Sequence, residues 1–577
     1  MDVTGSKNTW PSLPAGVLTL AAASLSLPCC AAVAQATKVV AGGETRTLRT
    51  RAPGEPPGAP SRPALLVLAL DGMGRDLLYS MLEGGDLPEL ARLLGKDDAG
   101  FAHAYFAPAV VATLPSTTGV AWATLFTGVK PAVHGFAGNE FFVRETRQFA
   151  APIPVSVSAS ADALSVFTDG YANKLLTVPT IYEAMRARDP HVSIWVSMSQ
   201  FYRGADLLLM TRTSVITSAF DAFFTGHTEK NLPRQVWERL DKADVDVVVE
   251  RLGKEPPPDV LTVYLFGTDE WAHISPEGPD LARRRYMKEI VDPAIGKLAA
   301  RLREVGALEH RYVVVTSDHG HTEVMKDDGH ALSTRDSDDP PAVLTRAGFR
   351  VRPFQGEVSG SNPFQSVLAY QGAIAYVYLA DRSRCAGPSD VCDWAAPPRY
   401  EQDVVPVADA FYRNNVDGSL APAMRGALDL VLTRRPVPVA ETDLPFEVYV
   451  GDGKTEPLDS YLGTHPHPTY VAFASRLRDL AVGPRGERAG DVLLLAHNGD
   501  RERVQDRYYF ASPYHSWHGS PSMQDSCIPL IVANRERSTG ELQALVGSFL
   551  GAEPRPEEIG QLLVGLREGR TEPAHAP

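Results

Sequence analysis

The chain of 577 residues has only five cysteines, and two of them, Cys29 and Cys30, fall within the first forty residues. A fold stapled by many disulfides is thereby excluded, and the core must come from apolar packing. Cationic residues are in deficit: 56 Lys and Arg stand against 70 Asp and Glu, a net charge of -14. That balance argues against a nucleic-acid-binding surface built on phosphate neutralisation. It leaves room for a small anionic substrate whose local field is set by bound cations. Beyond the N-terminal region no apolar run reaches the length of a membrane span. Internal repeats and long low-complexity tracts are lacking too. What is present, 44% hydrophobic and 22% charged residues, is the composition of a globular protein with a full core. The length suits one large α/β domain with insertions, or two or three smaller domains.

The N-terminal region differs from the rest. Lys7 precedes an apolar stretch from Leu13 to Ala34, and both Ala32-Val33-Ala34 and Ala34-Gln35-Ala36 fit the small-x-small cleavage pattern of a secretory signal. A signal peptide over 1–36 is favoured over an uncleaved anchor because prolines break the stretch. Export to a periplasmic or extracellular space follows from it. A Pro/Gly/Arg-rich linker is expected over 37–63, a core over 64–325 and 489–555, an insertion or cap over 326–488, and a C-terminal tail over 556–577. Cys385 and Cys392 bracket a short loop and are either bridged or free. Cys527 is left unpaired, expected buried beside Ile528.

Short apolar runs end in polar, chemistry-bearing residues. Ala64 to Leu70 stops at Asp71-Gly72, Val260 to Phe266 leads to Gly267-Thr268-Asp269, and Tyr312 to Val315 leads to Ser317-Asp318-His319-Gly320. Asp491 to Ala496 and Ile528 to Val532 read as further core strands. Leu281 to Val305 reads as a helix with Tyr286, Ile290, Leu298 and Leu302 on one side. Continuous apolar strands alternating with helices predict a mainly parallel sheet covered on both faces. Ligands of such sheets bind beyond the carboxyl ends of the strands. Three acidic positions at three strand ends therefore converge on one crevice.

The residues with metal-ligand chemistry are Asp71, Asp269, His273, Asp318, His319 and His518. Mixed carboxylate and imidazole donors suit zinc or another first-row divalent ion better than calcium or magnesium. Asp269 and His273 share one face if a helix starts after the strand. Taken singly each residue is ordinary, since an Asp at a strand end often caps the next helix. Ser116, Thr117 and Thr118 form a hydroxyl cluster before a helical stretch ending at Gly128. A hydroxyl there meets free N–H groups and the positive end of the dipole, a good place for a phosphoryl oxygen. Without the metal residues the cluster reads as an N-cap. Trp122, Phe141 and Phe142 read as core rather than as a stack for a base.

The ordered series resembles the alkaline phosphatase superfamily. It is most similar to the type I phosphodiesterase/nucleotide pyrophosphatase branch, which includes phosphonoacetate hydrolases. The matching pieces are Leu70-Asp71-Gly72, the Thr118 segment with Thr127-Gly128, Pro131-Ala132-Val133-His134-Gly135 with Asn139, Asp269 to His273, Ser317-Asp318-His319-Gly320 and His518-Gly519. The resemblance implies an α/β three-layer sandwich with a mainly parallel central sheet and an inserted cap. It implies two divalent metal ions, zinc by preference: one held by Asp269, His273 and His518, the other by Asp71, Asp318 and His319, with Thr118 touching it as nucleophile. His518 is selected over His515 because it precedes Gly519. The implied activity is hydrolysis of a small phosphate or phosphonate ester through a phosphothreonine at Thr118, with the N–H of Gly119 as an oxyanion donor. A phosphomonoesterase or phosphonate hydrolase on the same scaffold, or a non-catalytic secreted descendant, stays open. The sulfatase motif Cys-x-Pro-x-Arg is absent. Ala121 stands where the branch usually has an asparagine, and Gly119 where it has a bulky residue, so the phosphate pocket is expected to differ from that of a standard nucleotide pyrophosphatase.

Overall fold

The computed structural model describes residues 27–50, 62–98, 100–156, 160–216, 218, 234–335, 338–354, 362–435 and 443–573. Its centre is an eight-stranded sheet. From edge to edge the strands are Thr45–Thr47, Leu207–Leu209, Ile194–Ser197, Val260–Leu265, Ala64–Leu70, Arg311–Thr316, Leu530–Ala533 and Ala104–Phe106. The five from Leu207–Leu209 to Arg311–Thr316 are parallel. The flanking three are antiparallel to their neighbours.

Alternation within Ala64–Leu70 shows why the run is apolar throughout. Leu65, Val67 and Ala69 join a cluster with Trp122, Phe126, Tyr182 and Leu562. Leu66, Leu68 and Leu70 join another with Leu78, Val248, Ile295 and Leu298. The helices Thr118–Thr127, Ile181–Arg188 and Pro556–Glu568 supply the first cluster, and Arg75–Glu83, Arg234–Leu252 and Asp292–Glu304 the second. A sheet buried on both faces between helical layers is the expected three-layer α/β sandwich, each fully buried aliphatic side chain contributing about 1.5–3 kcal/mol. Trp122, Phe141 and Phe142 are core residues. The predicted helix over 281–305 is formed by Pro279–Tyr286, a π turn over Met287–Val291 and Asp292–Glu304, with Tyr286, Ile290, Leu298 and Leu302 buried.

A second, antiparallel sheet of six strands runs Ser366–Gln371, Ile374–Leu379, Val492–Ala496, Leu428–Arg434, Phe446–Gly451 and Lys454–Pro457. Val492–Ala496 thus lies inside this sheet, not among the strands of the parallel one. Five apolar residues in a row announce burial on both faces but not which partners provide it. Two other expectations need correction. Within the stretch read as linker, Thr45–Thr47 forms an edge strand paired to Leu207–Leu209, too short to show a period. Cys527 is half-buried and free, because it and Ile528 are successive strand residues and only Ile528 points inward. Cys385 and Cys392 form a disulfide. Most of the expected signal (1–26) and the middle of the expected linker (51–61) lie outside the described residues, as does 574–577. The helix Leu27–Gly42 runs through both expected cleavage points, and Gln35 Nε2 donates to Asp169 at 2.8 Å. Among the described residues no helix is long and apolar enough to cross a membrane.

The helix Pro556–Glu568 lies directly on the helix Thr118–Thr127. At Gly560 a Cβ would stand 2.2 Å from the Leu125 carbonyl oxygen and 2.9 Å from the Gly128 Cα, so only glycine allows this approach. Gly560→Ala should push the two helices apart and cost about 1–3 kcal/mol, read as a lower thermal unfolding midpoint. A variant melting with the wild type would contradict the contact.

Candidate active site

Strand register places the acidic residues side by side. Leu70 pairs with Leu265 and Ala69 with Thr316, so Asp71, Asp269 and Asp318 leave the same edge of the sheet within one to four residues of their strands. The helix Gly267–Ile274 starts directly after its strand and turns Asp269 and His273 onto one face. His518 arrives from the far end of the chain. Ser516–Trp517 pairs antiparallel with Thr322–Glu323, Thr322 opposite Trp517, which sets His518 across from His321. The strand Cys527–Ile528 pairs with Val110–Val111 and draws the Thr113–Thr118 segment alongside.

All six anticipated metal-type residues are brought together and buried, with Thr118 among them. Asp269, His273 and His518 form one group able to hold a metal ion, and Asp71, Asp318 and His319 another. Thr118 Oγ1 is 3.1 Å from His319 Nε2. The imidazoles share one hydrogen-bonding pattern. His273 Nδ1 meets the Ser516 carbonyl at 2.7 Å, His319 Nδ1 the Gly320 carbonyl at 3.0 Å and His518 Nδ1 the Ser116 carbonyl at 2.9 Å. A carbonyl only accepts, so each Nδ1 carries the proton, the orientation typical of a metal-ligating histidine. In the neutral rings each Nε2 then presents a lone pair. His273 Nε2 faces Asp269 Oδ2 at 3.4 Å, His518 Nε2 faces Asp269 Oδ1 at 3.9 Å, and His319 Nε2 faces Asp318 Oδ2 at 3.3 Å and Asp71 Oδ1 at 3.6 Å.

The carboxylates mirror this. Asp318 Oδ1 accepts from the N–H of Gly72 and of His319, both at 3.0 Å, and Asp71 Oδ2 accepts from the Tyr264 hydroxyl. Their other oxygens, Asp318 Oδ2 and Asp71 Oδ1, are buried with no hydrogen-bond partner. Burial, with the charges of Asp318 and Asp269 nearby, pushes Asp71 well above the ordinary carboxylate range, and burial also raises Asp318. Burial would raise Asp269 as well, but His273 and His321 hold it well below that range. Burial keeps His518 well below the usual histidine value, with His319 adding to the effect. Acceptor facing acceptor in a buried cage is the arrangement that divalent cations satisfy, so the residues fit the ions the resemblance implies.

The Thr118–Thr127 helix begins at an extended Thr117 and closes at Gly128, which puts Thr118 in its first turn as expected. The Gly119 N–H, however, is not free as an oxyanion donor: it donates to Asn139 Oδ1 at 2.8 Å. A Cβ at Gly119 would stand 2.6 Å from Phe136 and 3.1 Å from Asn139 Oδ1, which explains the missing bulky residue. Asn139 is held in turn by Gln371, whose Oε1 accepts the Asn139 N–H at 2.7 Å.

Residues 65–351 match the family model described as Type I phosphodiesterase / nucleotide pyrophosphatase. The chain belongs to this family. Its phosphoric ester hydrolase chemistry is metal-dependent, in keeping with the two Asp/His groups. No curated protein matches the chain by sequence. Among solved structures, murine ectonucleotide pyrophosphatase/phosphodiesterase 5 is 13% identical, with 89% of this chain and 96% of that one covered and a TM-score of 0.47. An inactive form of the murine protein in complex with AMP is 12% identical over the same shares, TM-score 0.47. The human counterpart is 12% identical, again with 89% and 96% covered, TM-score 0.48.

The matched segment of this phosphodiesterase-family chain contains five of the six residues of the two groups, while His518 and Gln371 come from beyond it. Two site residues had no role assigned from sequence. His321 Nε2 is 2.7 Å from Asp269 Oδ1, and its Nδ1 is 3.1 Å from Ser516 Oγ. The His-x-His spacing at 319 and 321 was the available signal, since alternate residues of extended backbone share a face. Tyr264 was hidden in an apolar strand. A further histidine braces the Thr118 helix. The Phe136 N–H donates to His134 Nδ1 at 3.1 Å, so Nε2–H donates to Thr124 Oγ1 at 2.9 Å, and that hydroxyl donates to the Val120 carbonyl at 2.8 Å. Burial, with Arg488 nearby, lowers the His134 pKa to about 3. Its folded value lies below the unfolded one, so the stability it contributes is complete above about pH 6.5 and is lost as pH falls towards 3. Between pH 7 and 5 this residue should remove on the order of 2 kcal/mol. Urea unfolding at both pH values should show a smaller fall for His134→Gln than for the wild type.

Proposed function

We propose that this family member hydrolyses phosphate diesters or pyrophosphates through a covalent phosphothreonine at Thr118. The observation supporting this most is the set of three Nε2 lone pairs and two orphaned carboxylate oxygens turned inward around the Thr118 hydroxyl. Asp269, His273 and His518 would hold one divalent cation and Asp71, Asp318 and His319 the other, zinc by donor type. When bound, the pair supplies Lewis acidity that lowers the hydroxyl pKa and neutralises charge on phosphoryl oxygens.

The chain's own groups do the rest. Thr118 Oγ1 attacks phosphorus as the bond to the leaving oxygen breaks, and water later cleaves the phosphothreonine to restore the hydroxyl. The first turn of the Thr118–Thr127 helix offers a positive dipole end to the phosphoryl group. Asn139, fixed at Oδ1 by Gly119, offers Nδ2 to a phosphoryl oxygen in place of the Gly119 N–H. Tyr264 orients Asp71, and His321 orients Asp269. Residues 326–488 act as an inserted region that buttresses the site, a reading supported by the Gln371 contact to Asn139. An N-terminal signal over 1–36 would direct export.

Turnover of bis-p-nitrophenyl phosphate, p-nitrophenyl phosphate and a phosphonate ester tests the reading and ranks the substrate classes. Thr118→Ala should abolish turnover with metal content near that of the wild type. Full activity in that variant would defeat the assignment. Asn139→Ala should lower kcat by about a hundredfold, and an unchanged kcat would remove Asn139 from the reaction.

A further inference from the structure

Behind the Thr118 segment lies a buried cation. Arg476, on the helix Phe473–Ala481, is 1% exposed. Its guanidinium donates to neutral oxygens: Nη2 to the Thr113 carbonyl and to Ser116 Oγ, both at 2.6 Å, and Nη1 to Ser526 Oγ at 2.8 Å, the Val471 carbonyl at 3.2 Å and the Pro521 carbonyl at 3.4 Å. Burial, with Arg555 nearby, brings its pKa down to about 9. A charge buried against neutral dipoles is costly to keep, so its placement calls for a reason.

The partners supply one. Ser116 precedes Thr118 by two residues, and its carbonyl accepts the Nδ1 proton of His518 at 2.9 Å while its hydroxyl reaches the Ser520 carbonyl at 3.0 Å. Pro521 lies in the turn that follows His518, and Ser526 ends the short helix Met523–Ser526 just after it. One fork therefore spans two segments of distant sequence, 113–116 and 520–526, which carry the attacking hydroxyl and the last metal-type ligand. Nη2 grips the first segment and Nη1 the second. An ammonium is a point donor and lacks that two-sided geometry.

We propose that Arg476 is a positioning residue for phosphoryl transfer, holding Thr118 at a fixed separation from His518 through Ser116. This rests on the assignment of Thr118 as nucleophile. Arg476 touches no substrate and acts only through Thr113 and Ser116 on one side and Pro521 and Ser526 on the other. Its removal therefore misaligns attack without emptying the metal sites, and kcat falls while KM and metal content hold. A fold-stabilising stitch would instead lower the yield of folded protein and leave kcat per folded, metal-loaded molecule unchanged.

The test measures kcat, KM and metal content for Arg476→Lys, Ser116→Ala and their double variant, with Thr118→Ala alongside. Arg476→Lys should lose about ten- to a hundredfold in kcat with KM within about threefold, and Ser116→Ala less. The double variant should be no worse than Arg476→Lys alone, since the two act as one unit. Wild-type kcat in both single variants, or losses that multiply, would overturn the proposal. Should Arg476→Lys fail to accumulate as folded protein, Ser116→Ala, which deletes one hydroxyl, decides by itself. An active Thr118→Ala would instead sink the nucleophile assignment, whereas an inactive Thr118→Ala beside wild-type Arg476→Lys and Ser116→Ala would sink only this inference.

Discussion

Three carboxylates and three imidazole lone pairs pointed at one another inside a buried cage form the constraint to which the rest of the structure answers. Such an arrangement is repulsive by itself, so it persists only where the surrounding frame over-determines it. Backbone carbonyls fix every Nδ1, backbone N–H groups fix Asp318, and the Tyr264 hydroxyl fixes Asp71. Asp318 Oδ2 and Asp71 Oδ1 are left without a hydrogen-bond partner, while Thr118 Oγ1 meets His319 Nε2 and His321 Nε2 meets Asp269 Oδ1. The fold has thereby built a demand for positive charge next to the Thr118 hydroxyl.

The parallel sheet explains how the cage can be assembled from remote sequence. Strands aligned by register end at a common edge, so a residue one to four positions past each strand needs no further steering. What the sheet cannot deliver, the antiparallel additions do: the 516–517 strand brings His518, and the 527–528 strand brings the Thr118 segment. The second sheet reaches in through Gln371, which holds Asn139. The site thus has the ends of the parallel strands on one side and, through Gln371 and Asn139, the second sheet on the other.

Much of this could be read from sequence because the three carboxylates each follow an apolar run that predicts its own burial. Asp71, Asp269 and Asp318 announced themselves by position, and His273 by helical spacing. Other features were opaque for physical reasons. His321 shows only its spacing from His319 until its antiparallel partner is known. The place of Asn139 depends on contacts with Gly119 and with Gln371, which is 232 residues away. Val492–Ala496 shows burial but not its neighbours, and Thr45–Thr47 is too short to carry a pattern. Arg476 lies in a surface-like amphipathic helix, and only packing reveals that its guanidinium is internal.

The closing of the central sheet has a consequence for biosynthesis. The strand Leu530–Ala533, the His518 loop and the helix Pro556–Glu568 that packs on the Thr118–Thr127 helix all lie beyond residue 515. A ribosome-bound chain that has emerged only as far as residue 488 lacks one wall of the cage and the helix against which Thr118–Thr127 packs. The Asp/His cage is therefore complete only once the segment beyond residue 515 has docked, because that segment carries the sixth ligand-type residue, His518.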